Sequence, residues 1–126
     1  MSRQLCPKVL LVDDDIDHLY LAEKRLEALG FPTVCARDGL GALLAMIDHP
    51  DCRCMVTDYH MPGLGGDDWI RMLERFCSDW RIVVISGGDP DPGPFLSMPK
   101  PADFNNIASY LHPAWRTNHV RRNPSP

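Results

Sequence analysis

The sequence lacks a long hydrophobic run, a cleavable leader and an excess of basic residues. No segment approaches the ~18 apolar residues of a membrane-spanning helix, and MSRQLCPKVLLV has no apolar stretch followed by a small-residue cleavage site. The 13 Lys and Arg residues against 17 Asp and Glu residues give a net charge of −4, which provides no broad basic surface for DNA phosphates. We therefore expect a cytoplasmic protein with no membrane segment and no direct DNA binding.

The chain also lacks an even, closely spaced set of cysteines. Its 5 cysteines are scattered and odd in number, unlike the disulfide framework of a small secreted domain. Cys52 and Cys54 flank Arg53, but no second pair of ligands at zinc spacing lies nearby. We therefore expect reduced thiols, with Cys52 and Cys54 leading into a strand.

The length and composition indicate one soluble domain that buries its own core, because the chain has 126 residues, 44% of them hydrophobic and 24% charged. We expect a single domain over 1–126, with a core at about 7–111 and a flexible polar tail at 117–126. Because the sequence begins with Met1 and no output domain follows residue 126, we expect it to act as a stand-alone domain.

Short apolar runs alternate with helical patterns along the chain. The runs at 9–12 and 82–85 are apolar throughout, as in strands that are buried on both faces of a parallel sheet. The pattern predicts strands at 9–12, 33–36, 54–57, 82–85 and 95–98, and helices at about 16–29, 40–49, 67–77 and 104–111. This alternation favours an α/β fold with a flavodoxin-like, doubly wound sheet of five parallel strands in the order 2-1-3-4-5.

Apolar residues at helical spacing predict which side of each helix is buried. In the first helix the expected buried stripe is Ile16, Leu19, Tyr20, Leu26 and Leu29. In the third helix it is Trp69, Ile70, Leu73 and Phe76.

Polar residues follow the predicted strands at their carboxyl ends, where open parallel sheets bind ligands. They are Asp13, Asp14 and Asp15 after the first strand, Asp58 after the third, Ser86 after the fourth and Lys100 after the fifth. Several carboxylates in one cleft repel each other and recruit a cation, and Mg²⁺ prefers such an all-oxygen site. An aspartate beside Mg²⁺ is able to attack phosphorus, with Lys100 and Ser86 stabilising the phosphoryl oxygens. We therefore predict that Asp58 accepts a phosphoryl group.

Four segments of the chain, VLLVDDDIDHL, MVTDYHMPGLGG, VVISG and MPKP, occur in the order found in response-regulator receiver domains. The sequence resembles that family over about residues 7–111. The resemblance implies that Asp13 and Asp14 bind Mg²⁺ and that Asp58 is both the phosphoacceptor and a metal ligand. It also implies that the backbone carbonyl of His60 is a further metal ligand.

The same resemblance implies a function in two-component signalling. Ser86 would be the switch hydroxyl, Lys100 would bind the phosphoryl group, and the Lys100–Pro101 peptide bond would be cis. The phosphoryl group would come from a histidine kinase, a histidine phosphotransfer protein or a small phosphodonor, and Mg²⁺-dependent self-hydrolysis would remove it. The side chain of His60 would tune that hydrolysis. We therefore expect a phosphoacceptor and not an enzyme. We expect it to signal by contact with a downstream protein that the sequence does not identify.

Two features depart from the family pattern. Lys100 follows Ser86 by 14 positions, roughly two helical turns fewer than receivers use, so the fourth helix is expected to be missing or vestigial. The intervening GGDPDPGPF has no helical stripe and predicts a loop. The family carries an aromatic residue three positions before its lysine, where this chain has Ser97. We therefore expect an unusual signal output.

Other interpretations of these residues stay open. A phosphorylation-independent interaction module would keep the receiver fold without its switch. A phosphatase of the haloacid-dehalogenase type would use Asp13 with Asp15 two positions later, although the MPG and KP segments then have no role. Asp15 or Asp17 would instead serve as the cap of the first helix in a purely structural reading.

Overall fold

A computed structural model describes residues 6–87 and 93–113 of the chain. The strands in these ranges are β1 (Val9–Val12), β2 (Thr33–Ala36), β3 (Cys54–Asp58), β4 (Arg81–Ser86) and β5 (Leu96–Pro99). The helices are α1 (Ile16–Ala28), α2 (Gly39–Asp48), α3 (Gly66–Phe76) and α4 (Phe104–Leu111). The tail predicted at 117–126 lies outside the described residues. Among the helices of the described ranges, none is both long and apolar enough to cross a membrane.

The five strands are all parallel and lie in the order β2-β1-β3-β4-β5, which confirms the predicted flavodoxin-like α/β fold. β1 and β3 are buried along their whole length because helices cover both faces of the sheet centre. β2 and β5 are edge strands and are partly exposed. The carboxyl ends of β1, β3 and β4 are therefore neighbours at one edge of the sheet.

The helices cover the two faces of the sheet in pairs, with α1 and α4 around Leu26 and Ile107 on one face and α2 and α3 on the other. Aspartate side chains start three of these helices, because Asp15, Asp38 and Asp103 accept backbone N–H bonds in the first turns of α1, α2 and α4. Asp15 is thus the N-cap of α1, one of the roles that the sequence left open.

The buried stripe predicted for α1 is partly wrong. Ile16 is 57% exposed and Tyr20 is 62% exposed, whereas Leu19 and Leu26 are buried. Ile16 and Tyr20 lie about 60° and 100° around the helix from Leu19, since successive residues turn by about 100°. Apolar residues on the outer side of α1 therefore do not reach the core.

The stripe predicted for α3 is also wrong at its last residue. Phe76 is 72% exposed, and the next residue, Cys77, is buried in its place. Phe76 lies at the end of α3 over a groove between α2 and α3 that it shares with Met46 and Met72. No side chain of the described residues covers it there.

The connection between β4 and β5 contains no helix in its described part, Gly87 and 93–95. Gly93 has a φ of +61° and lies against α3, where an added Cβ would be 3.6 Å from Ile70. Phe95 was predicted to open the last strand, but β5 begins at Leu96. Phe95 is only 8% exposed and joins the core beside Trp69 and Ile70. One aromatic side chain thus packs on α3 next to the edge strand.

Candidate functional site

Three carboxylates meet at the carboxyl ends of the two central strands. Asp13 and Asp14 directly follow β1, and Asp58 ends β3. Val12 of β1 pairs in register with Thr57 of β3, so the residues that follow them leave the sheet side by side. Carboxylate oxygens from Asp13, Asp14 and Asp58 all lie within 4.8 Å of one another. The structure therefore brings the three predicted acids together.

Asp58 is the most enclosed of these acids, with 6% of its surface exposed. Its carboxylate accepts a backbone N–H bond from Tyr59 at 2.9 Å. The ammonium nitrogen of Lys100 lies 3.3 Å from Oδ1 and 3.4 Å from Oδ2 of Asp58. One buried carboxylate is thus placed between two acids and one fixed cation, which suits a site that binds a metal ion and an anionic group together.

Ser86 and Lys100 reach the site from β4 and β5. Ser86 is the last residue of β4, is 2% exposed and pairs with the last residue of β5. The register of β3 and β4 places Ser86 one position beyond Asp58 on the neighbouring strand. The Lys100–Pro101 peptide bond is cis, as predicted. The strand ends therefore gather the predicted hydroxyl and lysine at the same edge as Asp58.

The electrostatics of the cluster separate Asp13 from Asp15. Partial burial raises the pKa of Asp13, the backbone N–H of Asp15 opposes this at 2.9 Å, and the negative charge of Asp58 adds to the rise. The pKa of Asp15 is instead lowered, because the backbone N–H groups of His18 and Asp17 donate to its carboxylate. Asp15 is engaged as a helix cap, so the spacing of Asp13 and Asp15 does not supply a pair of acids to one site.

The loop between β3 and α3 is closely packed beside the acceptor. The hydroxyl of Tyr59 donates a hydrogen bond to Asp67. Gly65 has no room for a side chain, because an added Cβ would lie 2.2 Å from the carbonyl oxygen of Met61. His60 is exposed, and its ring packs edge-on against Tyr59 with 4.7 Å between the ring centroids. The role of the His60 carbonyl as a metal ligand stays a prediction.

Sequence reasoning missed the contacts that hold the acceptor strand. The indole nitrogen of Trp69 donates to the hydroxyl of Thr57 at 2.8 Å, and both residues are fully buried. The Thr57 hydroxyl in turn donates to the backbone carbonyl of Asp58 at 3.0 Å. A hydroxyl in an otherwise apolar strand is the available signal, because a buried hydroxyl needs a partner. Nothing in the sequence indicates that α3 supplies it.

The donor set fits a hard divalent cation. Its three candidate ligand side chains are all carboxylates, and among the residues that the structure describes no histidine or cysteine belongs to the cluster. Mg²⁺ is commonly held by one or two carboxylates with water and phosphate oxygens completing its coordination, whereas zinc sites use histidine and cysteine. The chemistry of this edge of the sheet therefore favours Mg²⁺.

Known proteins are similar to this chain in sequence over most of the described domain. The model of the response regulator receiver domain family matches residues 9–93. The transcriptional regulatory protein PrrA of Mycobacterium tuberculosis is 37% identical over 81 residues, covering 64% of this chain and 34% of PrrA. The transcriptional regulatory protein CpxR of Escherichia coli is 28% identical over 119 residues, covering 89% of this chain and 50% of CpxR. The chain thus spans 34% to 50% of the length of these curated relatives.

Solved structures share the fold at low sequence identity. A response regulator receiver protein from Pseudomonas putida has a TM-score of 0.76 at 23% identity, covering 88% of this chain and 99% of the other. A sensor protein from Polaromonas sp. JS666 has a TM-score of 0.74 at 28% identity, covering 88% of this chain and 97% of the other. With the family match over residues 9–93, these likenesses establish that the chain belongs to the response regulator receiver domain family of two-component signalling.

Proposed function

We propose that this chain accepts a phosphoryl group on Asp58 from a histidine kinase or a histidine phosphotransfer protein. The observation that carries the proposal is the position of Asp58, a buried carboxylate beside Asp13 and Asp14 with Lys100 at 3.3 Å. A carboxylate oxygen of Asp58 would form a bond to phosphorus while the bond from phosphorus to the donor histidine nitrogen breaks. The product is an acyl phosphate on this chain and an unmodified histidine on the donor.

Asp13, Asp14 and Asp58 would hold Mg²⁺ together with the backbone carbonyl of His60. When bound, Mg²⁺ neutralises negative charge on the phosphoryl oxygens. The backbone helps to fix the geometry, because the N–H of Tyr59 donates to the carboxylate of Asp58 at 2.9 Å and holds it in place. The clustered negative charge of the three acids gives the chain its affinity for the cation.

Lys100 and Ser86 would bind the transferred group. The ammonium of Lys100 already lies 3.3 Å from Asp58 and the Lys100 side chain is 36% exposed, so it is placed to bind an oxygen of an incoming phosphoryl group. The hydroxyl of Ser86 is at the end of the neighbouring strand and would donate to another phosphoryl oxygen. Charge and hydrogen-bond donors would then surround the group that Asp58 accepts.

The acyl phosphate would be removed by Mg²⁺-dependent self-hydrolysis, so the chain acts as a phosphoacceptor and not as an enzyme on a separate substrate. The exposed ring of His60, fixed against Tyr59, would tune the access of water to the phosphoryl group. The chain would work in the cytoplasm as a stand-alone receiver. It would signal by contact with a downstream protein.

Phosphorylation by acetyl phosphate tests the proposal. We expect stoichiometric, Mg²⁺-dependent labelling of the wild type, measured by intact mass, and no labelling of Asp58→Asn. Asp79→Asn is the matched control, because Asp79 is an exposed acid that pairs with Arg53 away from the cluster. Labelling that persists in Asp58→Asn, or a wild type that stays unlabelled with Mg²⁺, would contradict the proposal.

A second candidate function is a phosphorylation-independent interaction module. It is favoured by the connection between β4 and β5, which has no helix in its described part, and by the exposed Ser97 where the family carries an aromatic residue. The two functions are distinguished by the affinity of the chain for a partner protein that is isolated with it by pull-down. Equal partner affinity with and without beryllofluoride and Mg²⁺ supports the module, and tighter binding with beryllofluoride supports signalling through Asp58.

A further inference from the structure

The helix α2 exposes an apolar stripe to solvent. Leu40, Leu44 and Ile47 are 64%, 55% and 73% exposed. At about 100° per residue these three side chains fall within an arc of about 60°, on the side of the helix opposite the buried Ala42. The outer face of a helix in a soluble domain normally carries polar and charged residues. Here no charged residue occurs between Gly39 and Ile47.

Large exposed hydrophobic side chains occur on both faces of the sheet, with α2 and α1 carrying three each. Four of the seven large hydrophobic side chains that are exposed in the described residues lie on α2 and α3, and the others lie on α1. A groove of about 500 Å³ separates α2 from α3, with Met46, Met72 and Phe76 among its lining residues. The groove also contains Arg53 and Asp79 and does not include the stripe, so the apolar patch that marks a candidate interaction site is the α2 stripe itself.

We propose that this α2 face, Leu40, Leu44 and Ile47, binds the same face of a second copy of the chain, with the two α2 helices antiparallel. Leu40 and Ile47 are seven positions apart and Leu44 lies near their midpoint. A two-fold axis beside Leu44 would therefore pair Leu40 of each copy with Ile47 of the other. The stripe is complementary to itself in this orientation.

The charges at the two ends of α2 select the antiparallel orientation. Arg37 precedes the helix and Asp48 is its last residue, and both are exposed. Antiparallel packing brings Arg37 of one copy towards Asp48 of the other, whereas parallel packing would set like charges opposite each other at both ends of the helix. Asp38, the other charged residue at the start of α2, is engaged as its N-cap by the backbone N–H of Gly41 at 2.7 Å. Along the helix axis Arg37 lies about 10 Å and Asp48 about 6 Å from Leu44. With the two-fold axis beside Leu44, Arg37 of one copy and Asp48 of the other are therefore offset by about 4 Å, which a long arginine side chain spans.

The three apolar residues of the α2 face do not belong to the acidic cluster, although Arg37 lines a surface pocket with Asp14. The proposal does not depend on phosphorylation of Asp58.

Sedimentation equilibrium of the full chain over a wide concentration range tests the proposal. We expect a reversible equilibrium of monomer and dimer in the wild type. Leu44→Glu should raise the dimer dissociation constant more than ~10-fold, because two carboxylates would meet beside the two-fold axis. Leu21→Glu is the matched control, since Leu21 is 49% exposed on α1, on the other face of the sheet. A wild type that stays monomeric throughout, or an equal effect of the two substitutions, would overturn the proposal.

Charge reversal tests the orientation. Arg37→Glu and Asp48→Arg should each weaken the dimer several-fold, and the double variant should regain the dissociation constant of the wild type, because the reversed charges again lie opposite each other. A double variant that is as weak as the single variants would show that the helices are not antiparallel. Circular dichroism of each variant verifies that these surface substitutions leave the fold intact.

Discussion

The acceptor edge of the sheet and the connection between β4 and β5 are neighbours in space but are held by different forces. At the acceptor edge polar contacts fix the side chains, as in the ion pair of Lys100 with Asp58 and the hydrogen bond of Tyr59 to Asp67. In the connection, Phe95 is buried against the core and Gly93 lies against α3. The acidic cluster therefore forms without a helix in the described part of the connection.

The predicted chemistry of the domain and its signal output depend on different strands of the sheet. Asp13, Asp14 and Asp58 depend on β1 and β3, whose pairing is fully buried. The exposed Ser97 belongs to β5, an edge strand with alternating exposure. We therefore expect substitutions in the connection to change stability or output, and substitutions at the acceptor edge to change phosphorylation.

The largest effect on stability is expected from Phe95→Ala. Removal of this buried aromatic leaves a cavity against α3 and should lower the free energy of unfolding by ~3 kcal/mol. Urea denaturation measures the loss. Tyr20→Ala is the control, because Tyr20 is 62% exposed and its truncation should cost well under ~1 kcal/mol. Equal losses in the two variants would show that Phe95 does not close the core.

At the acceptor edge the largest effect is expected from Lys100→Met. The substitution keeps the apolar stem and removes the cation that lies 3.3 Å from Asp58, so labelling by acetyl phosphate should slow by about 100-fold. The initial rate of labelling measures this effect. Lys24→Met, which removes an exposed lysine paired with Glu27 on α1, should leave the rate unchanged. A similar rate in both variants would exclude Lys100 from the chemistry.

Asp13→Asn should weaken Mg²⁺ binding by ~10-fold or more, as measured by titration calorimetry. The same variant should be slightly more stable than the wild type at neutral pH without Mg²⁺, by less than ~1 kcal/mol. The pKa of Asp13 is raised in the folded state, so its charged form costs stability above that folded pKa. Below the pKa of the unfolded chain the acid is protonated in both states and the cost is absent.

Thermal denaturation with EDTA at neutral and acid pH measures this stabilisation, which should disappear at acid pH. Asp14→Asn is the comparison, because Asp14 is exposed and should yield a smaller gain in stability. A destabilised Asp13→Asn at neutral pH would contradict the cost of burying the charged Asp13 carboxylate beside Asp58.

The smallest effect is expected from Tyr59→Phe. The substitution removes the hydroxyl that donates to Asp67 and should lower the free energy of unfolding by ~1 kcal/mol. The backbone N–H of Tyr59 still reaches Asp58, so the affinity for Mg²⁺ should not change. Chemical denaturation and a Mg²⁺ titration of the same sample test both statements. A change in Mg²⁺ affinity without a change in the free energy of unfolding would show that the Tyr59 hydroxyl serves the metal site and not the stability of the fold.

Much of the fold was predictable because short apolar runs mark strands both at the centre and at the edge of the sheet. β1 and β2 begin and end where the sequence predicts, at 9–12 and 33–36. The buried sides of the helices were harder to predict, because an apolar residue at helical spacing is buried only if another element covers it. Tyr20 and Phe76 follow the apolar pattern and are nevertheless exposed. Their exposure depends on which helices lie beside α1 and α3.

The candidate site was predictable because the direction of the strands was predictable. Parallel strands place their carboxyl ends at one edge, so the sequence by itself determined that Asp13, Asp58 and Ser86 lie near each other. Only the tertiary structure decided that Lys100 lies 3.3 Å from a buried Asp58 and that Trp69 holds Thr57. It also decided that the apolar side chains of α2 are left uncovered. These outcomes depend on contacts between residues that are distant in sequence, which the local pattern of residues does not specify.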